Sequence, residues 1–377
     1  MHLHTLIDSL ERLAPRSFQE GYDNSGLLVG NPAAEVRGVL VCLDATEAVI
    51  VEALERGCNV VVAHHPIVFK GLKTFTGRTY VERVVMDAIR YDVALYAIHT
   101  NLDNVRAGVN AKIAERIGLH HTTILQPKKG IIKQLSTYVP IAHLSTVRAA
   151  LFAAGGGTTS GSHYTETSFN TVGAGTFKGD ATSNGFSGER EVRHTEAEIK
   201  LEMLYDTHRE RALLAALHAA HPYEEVAYNL VALENTHPNV GAGMVGTLAQ
   251  PMPEAGFLSH LKTVLPTACI RHTALRGKPV ERVAICGGAG SELLPQAIAA
   301  GADAFVTADF KYHQFFDAEG RTVIADIGHY ETEQFTIELL YEHIAALRTR
   351  LAQHDEANFT PFSVFPTEIN TNPVYYY

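Results

Sequence analysis

The sequence predicts an α/β protein built from two similar α/β halves, with mainly parallel sheets facing one cleft, and an inserted α+β domain between them. Three observations carry this. Short, wholly apolar runs alternate with helical stretches early in the chain and again late in it; the two regions overlay without a gap; and the pattern between them changes. The boundaries expected are 1–127 for the first half, 128–240 for the insert and 241–377 for the second half. A length of 377 residues suits two or three domains at roughly 100–200 residues each.

The elements follow in order. Met1 to Leu13 has helical apolar spacing and lacks the basic start and apolar core of a signal peptide, so it reads as a short amphipathic helix of a cytoplasmic protein. Gly38–Leu43, Asn59–Ala63 and Val93–Ile98 are near-continuous apolar runs, with helical stretches after Thr46 and Arg78. Such strands are buried on both faces, which is the signature of parallel pairing under covering helices. The same grammar returns in Val283–Cys286, Ala304–Thr307 and Thr322–Ile327, followed by a long helix expected over 330–351.

Sliding Val36–His65 onto Val280–Asp309, a shift of 244, gives seven identities in 30 positions: Val36/Val280, Val39/Val283, Cys42/Cys286, Ala45/Ala289, Ala53/Ala297, Gly57/Gly301 and Val62/Val306. We read this as an internal duplication. It predicts two halves whose strand C-terminal ends line one cleft, where open α/β sheets bind ligands. Between them, strands over 130–140, 167–177, 197–205 and 225–233 and helices over 144–154 and 209–220 run in the order β-α-β-β-α-β, the ferredoxin-like pattern. Residues 155–161 and 178–190 are rich in Gly, Ser and Thr and are expected to be mobile loops.

Composition narrows the chemistry. A charge of −10 without a basic block argues against nucleic acid as the main partner, and no run approaches the roughly 20 apolar residues of a membrane span. Cys42, Cys58, Cys269 and Cys286 contain no CxxC pair, so a metal would be held by His and carboxylates. The chain carries twenty histidines. Three segments place such groups just past a predicted strand: Ala63-His64-His65-Pro66, Ile98-His99-Thr100-Asn101-Leu102-Asp103-Asn104 and Gly328-His329-Tyr330-Glu331-Thr332-Glu333.

Adjacent His64 and His65 on extended chain point to opposite sides, which suits two neighbouring ions better than one. Asp103 has two oxygens with which to bridge cations, or serves only as a turn former or helix cap. His99 is open to ligation, to orienting a ligand or to proton transfer. His329 and Glu333, four apart, share one face of a first helical turn, whereas Glu331 points elsewhere. The predicted cleft gathers His64, His65, Asp103, His329 and Glu333. Three imidazoles and two carboxylates exceed the three protein ligands usual for one catalytic zinc and suit two divalent ions roughly 3.5–4 Å apart. Imidazole with carboxylate does not distinguish Zn, Fe(II), Mn or Co.

Tyr22-Asp23-Asn24-Ser25-Gly26-Leu27-Leu28-Val29-Gly30 and the three segments above, in this order, resemble the family called GTP cyclohydrolase 1 type 2 homologues, or NIF-three-like proteins. The resemblance covers about 1–125 and 240–377. The middle block is similar to the PII-like or CutA-like insert of the longer members, whose His-Pro-Tyr-Glu-Glu stretch stands here as His221–Glu225. The family usually has Trp where this chain has Tyr22. The resemblance implies a toroidal homohexamer, a dinuclear metal centre in each subunit held by residues that map onto His64, His65, Asp103, His329 and Glu333, and a small nucleotide substrate, GTP, attacked by water at the purine C8 with release of formate.

The expected activity is therefore metal-dependent hydrolysis, with His99 as the proton-transfer residue. The competing expectation is a non-catalytic metal-handling or regulatory hexamer whose insert senses a small molecule; phosphoesterase or amidohydrolase chemistry at the same centre is a third. Weaker candidates are Gly287-Gly288-Ala289-Gly290, a tight turn rather than a phosphate loop; Asp309, Lys311, Tyr312 and His313, surface loop or substrate contacts; and His221, Tyr223, Glu224 and Glu225, a corner or a second site in the insert.

Overall fold

A computed structural model describes residues 1–354 and 360–377. In chain order its strands are β1 (Gly26–Val29), β2 (Gly38–Cys42), β3 (Val60–Ala63), β4 (Ala94–Ala97), β5 (Leu119–Pro127), β6 (Ile132–Pro140), β7 (Phe169–Phe177), β8 (His194–Asp206), β9 (Tyr228–Ala232), β10 (Gly241–Met252), β11 (Arg271–His272), β12 (Val280–Ala289), β13 (Ala304–Ala308), β14 (Val323–Asp326) and β15 (Ser363–Pro366). The chain divides into two compact units, Met1–Gln126 with Val240–Tyr377, and Pro127–Asn239. Among the described residues, no helix is long and apolar enough to cross a membrane.

The larger unit holds two sheets. In the first, ordered β1-β4-β3-β2-β15, the pairs β4/β3, β3/β2 and β2/β15 are parallel and β1 is antiparallel to β4. Every residue of β2, β3 and β4 is buried, as wholly apolar strands require. Helices Glu47–Glu55 and Tyr80–Arg90 begin at Thr46 and Thr79, whose hydroxyls accept from Val49 N at 3.3 Å and Glu82 N at 3.2 Å.

The second sheet corrects the mainly parallel expectation. Its order is β11-β14-β13-β12-β10-β5; β12, β13 and β14 run parallel, with β10 antiparallel to β12 and β11 antiparallel to β14. The Gly- and Ala-rich β10 and the polar start of β5 lack the apolar runs that mark the other strands. The helix expected over 330–351 is also two pieces, His329–Glu333 and Thr336–His354. Thr332 Oγ1 donates to the His329 carbonyl at 2.7 Å, a back-bond of the kind that bends helices, and the chain turns at Gln334 and Phe335.

The 244-residue shift reappears as strand register. Val39↔Val60, Leu40↔Val61 and Val41↔Val62 in the first sheet become Val283↔Ala304, Ala284↔Phe305 and Ile285↔Val306 in the second. Packing compensates: the buried pair Leu40 and Val61 is matched by Ala284 and Phe305, with the bulk moved to the neighbouring strand. A polar brace repeats as well. Asn59 Oδ1 accepts from Arg37 N at 2.8 Å and Gly38 N at 3.4 Å; at the shifted position Asp303 Oδ2 accepts from Glu281 N at 3.0 Å and Arg282 N at 2.9 Å.

The smaller unit is one antiparallel sheet in the order β7-β8-β6-β9, with helices Leu144–Ala153 and Glu210–Ala220. Its own core contains Leu135, Val139, Leu151, Leu201, Met203, Tyr205, Leu213 and Leu217.

The brace yields a prediction. Asn59→Ala leaves the Arg37 and Gly38 amides at the start of β2 without this acceptor, and the Glu35 carbonyl without the Asn59 Nδ2 donor at 2.8 Å, and is expected to cost about 1–3 kcal/mol. Denaturant unfolding of the variant measures this; an unchanged midpoint would refute the role.

Candidate metal centre

The parallel strands of both sheets of the larger unit end at one place. His64 and His65 follow β3, His99 follows β4, Asp44 follows β2, and Asp309 and His329 follow β13 and β14. His329 and Glu333 occupy one turn of the short helix. A cavity of about 640 Å³ opens there, lined by Asp44, His65, Phe69, His99, Asp309, His329 and Tyr330 among others.

Glu333 is the hub. It is 3% exposed, and its Oε2 lies 3.0 Å from His65 Nε2 and 3.0 Å from His329 Nε2. Its Oε1 faces His64 Nε2 at 3.9 Å, while Asp103 Oδ1 is 3.6 Å from the same nitrogen. Among the described residues three groups can hold a cation: His64 with Asp103 and Glu333, His65 with His329 and Glu333, and His64 with His65 and His99. Glu333 therefore belongs to the two carboxylate-containing groups, one oxygen turned toward each.

Each imidazole is oriented through its other nitrogen. His64 Nδ1 donates to the Ile98 carbonyl at 2.8 Å, His65 Nδ1 to Asp44 Oδ1 at 2.7 Å, His329 Nδ1 to Asp309 Oδ2 at 2.7 Å, and His99 Nδ1 to Asp23 Oδ1 at 2.7 Å. Partners of this kind fix ring orientation at metal sites. Asp23 is itself clamped, accepting from Asn24 N at 2.7 Å, Ser25 Oγ at 3.1 Å, Thr100 N at 3.0 Å and Thr100 Oγ1 at 2.5 Å. Although burial alone would raise it, the bonds from His99 and Thr100 hold its carboxyl well below the usual range.

Glycine makes the room. Gly288, at φ +62°, sits where a Cβ would come within 2.3 Å of Glu333 Oε1 and 3.0 Å of His329 Cε1. The Gly287-Gly288 segment is thus neither a phosphate loop nor merely a turn: it lies in a register shift of β12 that leaves space for the carboxylate. Asn110 ties the Asp103 loop to it, donating to the Asp103 carbonyl at 3.1 Å and accepting from Gly287 N at 3.0 Å.

Electrostatics test whether cations suit the pocket. Burial pushes His64 down to about 3, so its ring is neutral; with Nδ1–H committed to Ile98, Nε2 presents a lone pair. It faces Asp103 Oδ1, and both atoms are buried without a hydrogen-bond partner among the described residues. At 3.6 Å the two atoms are too far apart to bond each other and leave a gap that a cation satisfies. Burial and the neighbouring Glu333 charge push Asp103 well up. Burial would lower His65 and His329, but Asp44 and Glu333 raise the first to about 10, and Asp309 and Glu333 raise the second to about 11. In turn these imidazoles hold Glu333 far below its ordinary value against its own burial. In the metal-free protein two imidazolium groups thus do for Glu333 what cations would do.

The structure brings His64, His65, His99, Asp103, His329 and Glu333 together, and adds Asp23, Asp44 and Asp309, which orient the rings. The motif Asp23-Asn24-Ser25-Gly26 and the strand-end position of Asp44 were the available signals, but aspartate after a strand is also ordinary turn chemistry. Of the other candidates, Asp309 lines the cavity, whereas Lys311, Tyr312 and His313 are exposed and outside its wall. Tyr22 is exposed, 6.2 Å from the Phe69 ring. In the smaller unit, His221 bonds the Tyr138 carbonyl at 3.0 Å and accepts from Tyr223 N at 3.1 Å, Tyr223 Oη donates to Glu198 at 2.6 Å, and Glu224 accepts from Asn184 N at 2.8 Å; these contacts brace a corner, and Glu225 is exposed.

Residues 1–363 match the family described as Duf34/NIF3 (NGG1p interacting factor 3). The chain belongs to this family. It is 35% identical over 328 residues to a protein of Halalkalibacterium halodurans named GTP cyclohydrolase 1 type 2 homolog, covering 86% of this chain and 87% of that one. A protein of the same name from Bacillus subtilis is 33% identical over 374 residues, covering 98% of this chain and 96% of the other. The crystal structure of a Bacillus cereus protein related to NIF3 superposes with a TM-score of 0.79 at 31% identity, covering 100% of this chain and 99% of that one. The mixed α/β architecture of several sheets is consistent with the Duf34/NIF3 fold, and the His/Glu clusters supply a possible metal site within it.

Because Asp44 and Glu333 favour the protonated form of His65, and Asp309 and Glu333 that of His329, cation entry is expected to expel protons. Calorimetric Zn(II) titration in two buffers of different ionisation enthalpy is expected to show proton release, and affinity is expected to rise with pH by about tenfold per unit for each proton displaced. Binding without proton release would contradict this account of the apo state.

Proposed function

We propose that the protein is a metal-dependent hydrolase whose two divalent ions are held by His64, His65, Asp103, His329 and Glu333. The observation that carries this is the buried, unpartnered pair His64 Nε2 and Asp103 Oδ1 beside the shared Glu333 carboxylate. Divalent ions held there would supply an acidified water and would neutralise negative charge developing on the attacked group. Zn, Fe and Mn all suit the imidazole and carboxylate donors. Glu333 turns one oxygen toward His64 and the other toward His65, so it would serve both carboxylate-containing ligand groups.

The chain's own residues provide the rest. His99 has a ring nitrogen within 4.8 Å of those of His64 and His65, and its Nδ1–H is committed to Asp23. Nε2 is therefore the free lone pair, able to take a proton from the attacking water and return it to the leaving group. The name shared by the curated relatives suggests GTP as substrate; one water added at the purine C8 would open the imidazole ring to a formamide, and a second would hydrolyse that formamide to release formate.

This reading extends to the architecture: two NIF-three-like halves, 1–127 and 241–377, around a PII-like, ferredoxin-fold insert at 128–240, assembled as a cytoplasmic toroidal homohexamer. The order β7-β8-β6-β9 with two helices supports the ferredoxin-like assignment of the insert. That insert, with a core of its own, also favours a second reading, a regulatory metal-handling hexamer in which it senses a small molecule. Removing 128–240 and measuring both metal content and hydrolysis separates the two.

For the hydrolase, metal-loaded protein incubated with GTP is expected to release formate, and His99→Gln to lower turnover by about 10²–10⁴-fold with metal content unchanged. Elemental analysis is expected to give two ions per subunit, and fewer in Glu333→Ala. No formate above a His65→Ala control removes the GTP assignment; less than one ion per subunit removes the dinuclear centre.

A further inference from the structure

We propose that Thr371, in the chain's C-terminal segment, is a positioning residue for the metal centre: it locks the Asp44 carboxylate that orients His65. The proposal rests on the reading of His65 as a metal ligand.

The segment is tied down step by step as it approaches the site. β15 pairs in parallel with β2, ending at Pro366 opposite Val41, and Thr367 N then donates to the Val41 carbonyl at 2.8 Å. The buried Glu52 carboxylate accepts from Thr367 Oγ1 and, at 2.9 Å, from Glu368 N. Thr371 Oγ1 then donates to Asp44 Oδ2 at 2.8 Å, and Asn372 Nδ2 to Glu331 Oε1 at 3.1 Å. Beyond these anchors Pro373, Val374 and Tyr376 join the cavity wall. The segment around residues 371–376 is thus part of the site.

Asp44 divides its two oxygens, Oδ1 to His65 Nδ1 at 2.7 Å and Oδ2 to Thr371. The terminal torsion of an aspartate is broad, so a carboxylate with one partner can turn and let that partner's ring follow. A donor on the second oxygen removes this freedom and fixes the direction in which His65 Nε2 points. Asp309, which orients His329, is bound to no second side chain among the described residues. His65 and His329 are therefore held unequally, and the distal hold on His65 comes from Thr371.

The test is Zn(II) affinity of the full-length protein, measured by competition with a chromophoric chelator. Thr371→Val is expected to weaken one of the two equivalents about tenfold, the lower end of effects from outer partners of metal ligands, with Thr371→Ser restoring it to within about twofold. Thr371→Ala, which introduces no bulk, is read in the same way. Asp44→Asn is expected to weaken the same equivalent, and the double variant Thr371→Val/Asp44→Asn to be no weaker than Asp44→Asn alone, because Thr371 acts only through Asp44. Wild-type affinity in both Thr371→Val and Thr371→Ala, failure of serine to restore, or losses that multiply in the double variant would overturn the proposal. A wild-type protein that binds two ions, one of them lost in His65→Ala, keeps the metal-centre reading whatever Thr371 does; one that takes up no metal overturns both.

Discussion

Everything at the site depends on one buried carboxylate. Glu333 is almost fully removed from solvent and is surrounded by three imidazoles, two of which approach the same oxygen at 3.0 Å. A buried carboxylate in this setting needs compensating positive charge. Without metal, His65 and His329 supply it as protons; with metal, cations would take their place. The outer carboxylates Asp44 and Asp309 follow from the same constraint, because they keep those rings both protonated and correctly turned. The cluster is an acidic pocket balanced by exchangeable charge.

The duplicated scaffold brings these groups to one point. Parallel strands end together, so residues just past β2, β3 and β4 meet those just past β13 and β14 without long loops. Repetition of both strand register and the Asn59/Asp303 brace shows that the two halves share a backbone plan. Their site residues have diverged: at the positions related by the 244-residue shift, His64 and His65 in one half answer to Ala308 and Asp309 in the other. One half supplies two ring nitrogens, the other a carboxylate that orients a third ring. The asymmetry turns a repeated scaffold into a single centre with distinct partners on each side.

Much of this was legible beforehand. The strands of both halves announce themselves because burial on two faces forces unbroken apolar runs, and histidines following such runs are conspicuous. β5, β10 and β15 were not legible: they are polar, glycine-rich or short, and their pairing is set by neighbours distant in sequence. The break after Glu333 was hidden for a related reason, since the Thr332 hydroxyl chooses between solvent and the His329 carbonyl only in context. Asp23 and Asp44 look like turn residues, and only proximity to His99 and His65 gives them another role.

By itself the sequence determined the α/β alternation, the internal repeat and the short set of His, Asp and Glu side chains that stand at strand ends, because each is a local consequence of periodicity and burial. Tertiary structure alone decided how those side chains share charge. Which oxygen of Glu333 faces which imidazole, which carboxylate orients which ring, and whether Gly288 is needed for space are set by distances between residues up to 268 positions apart. Such distances depend on how two sheets are brought together, and no local pattern encodes them.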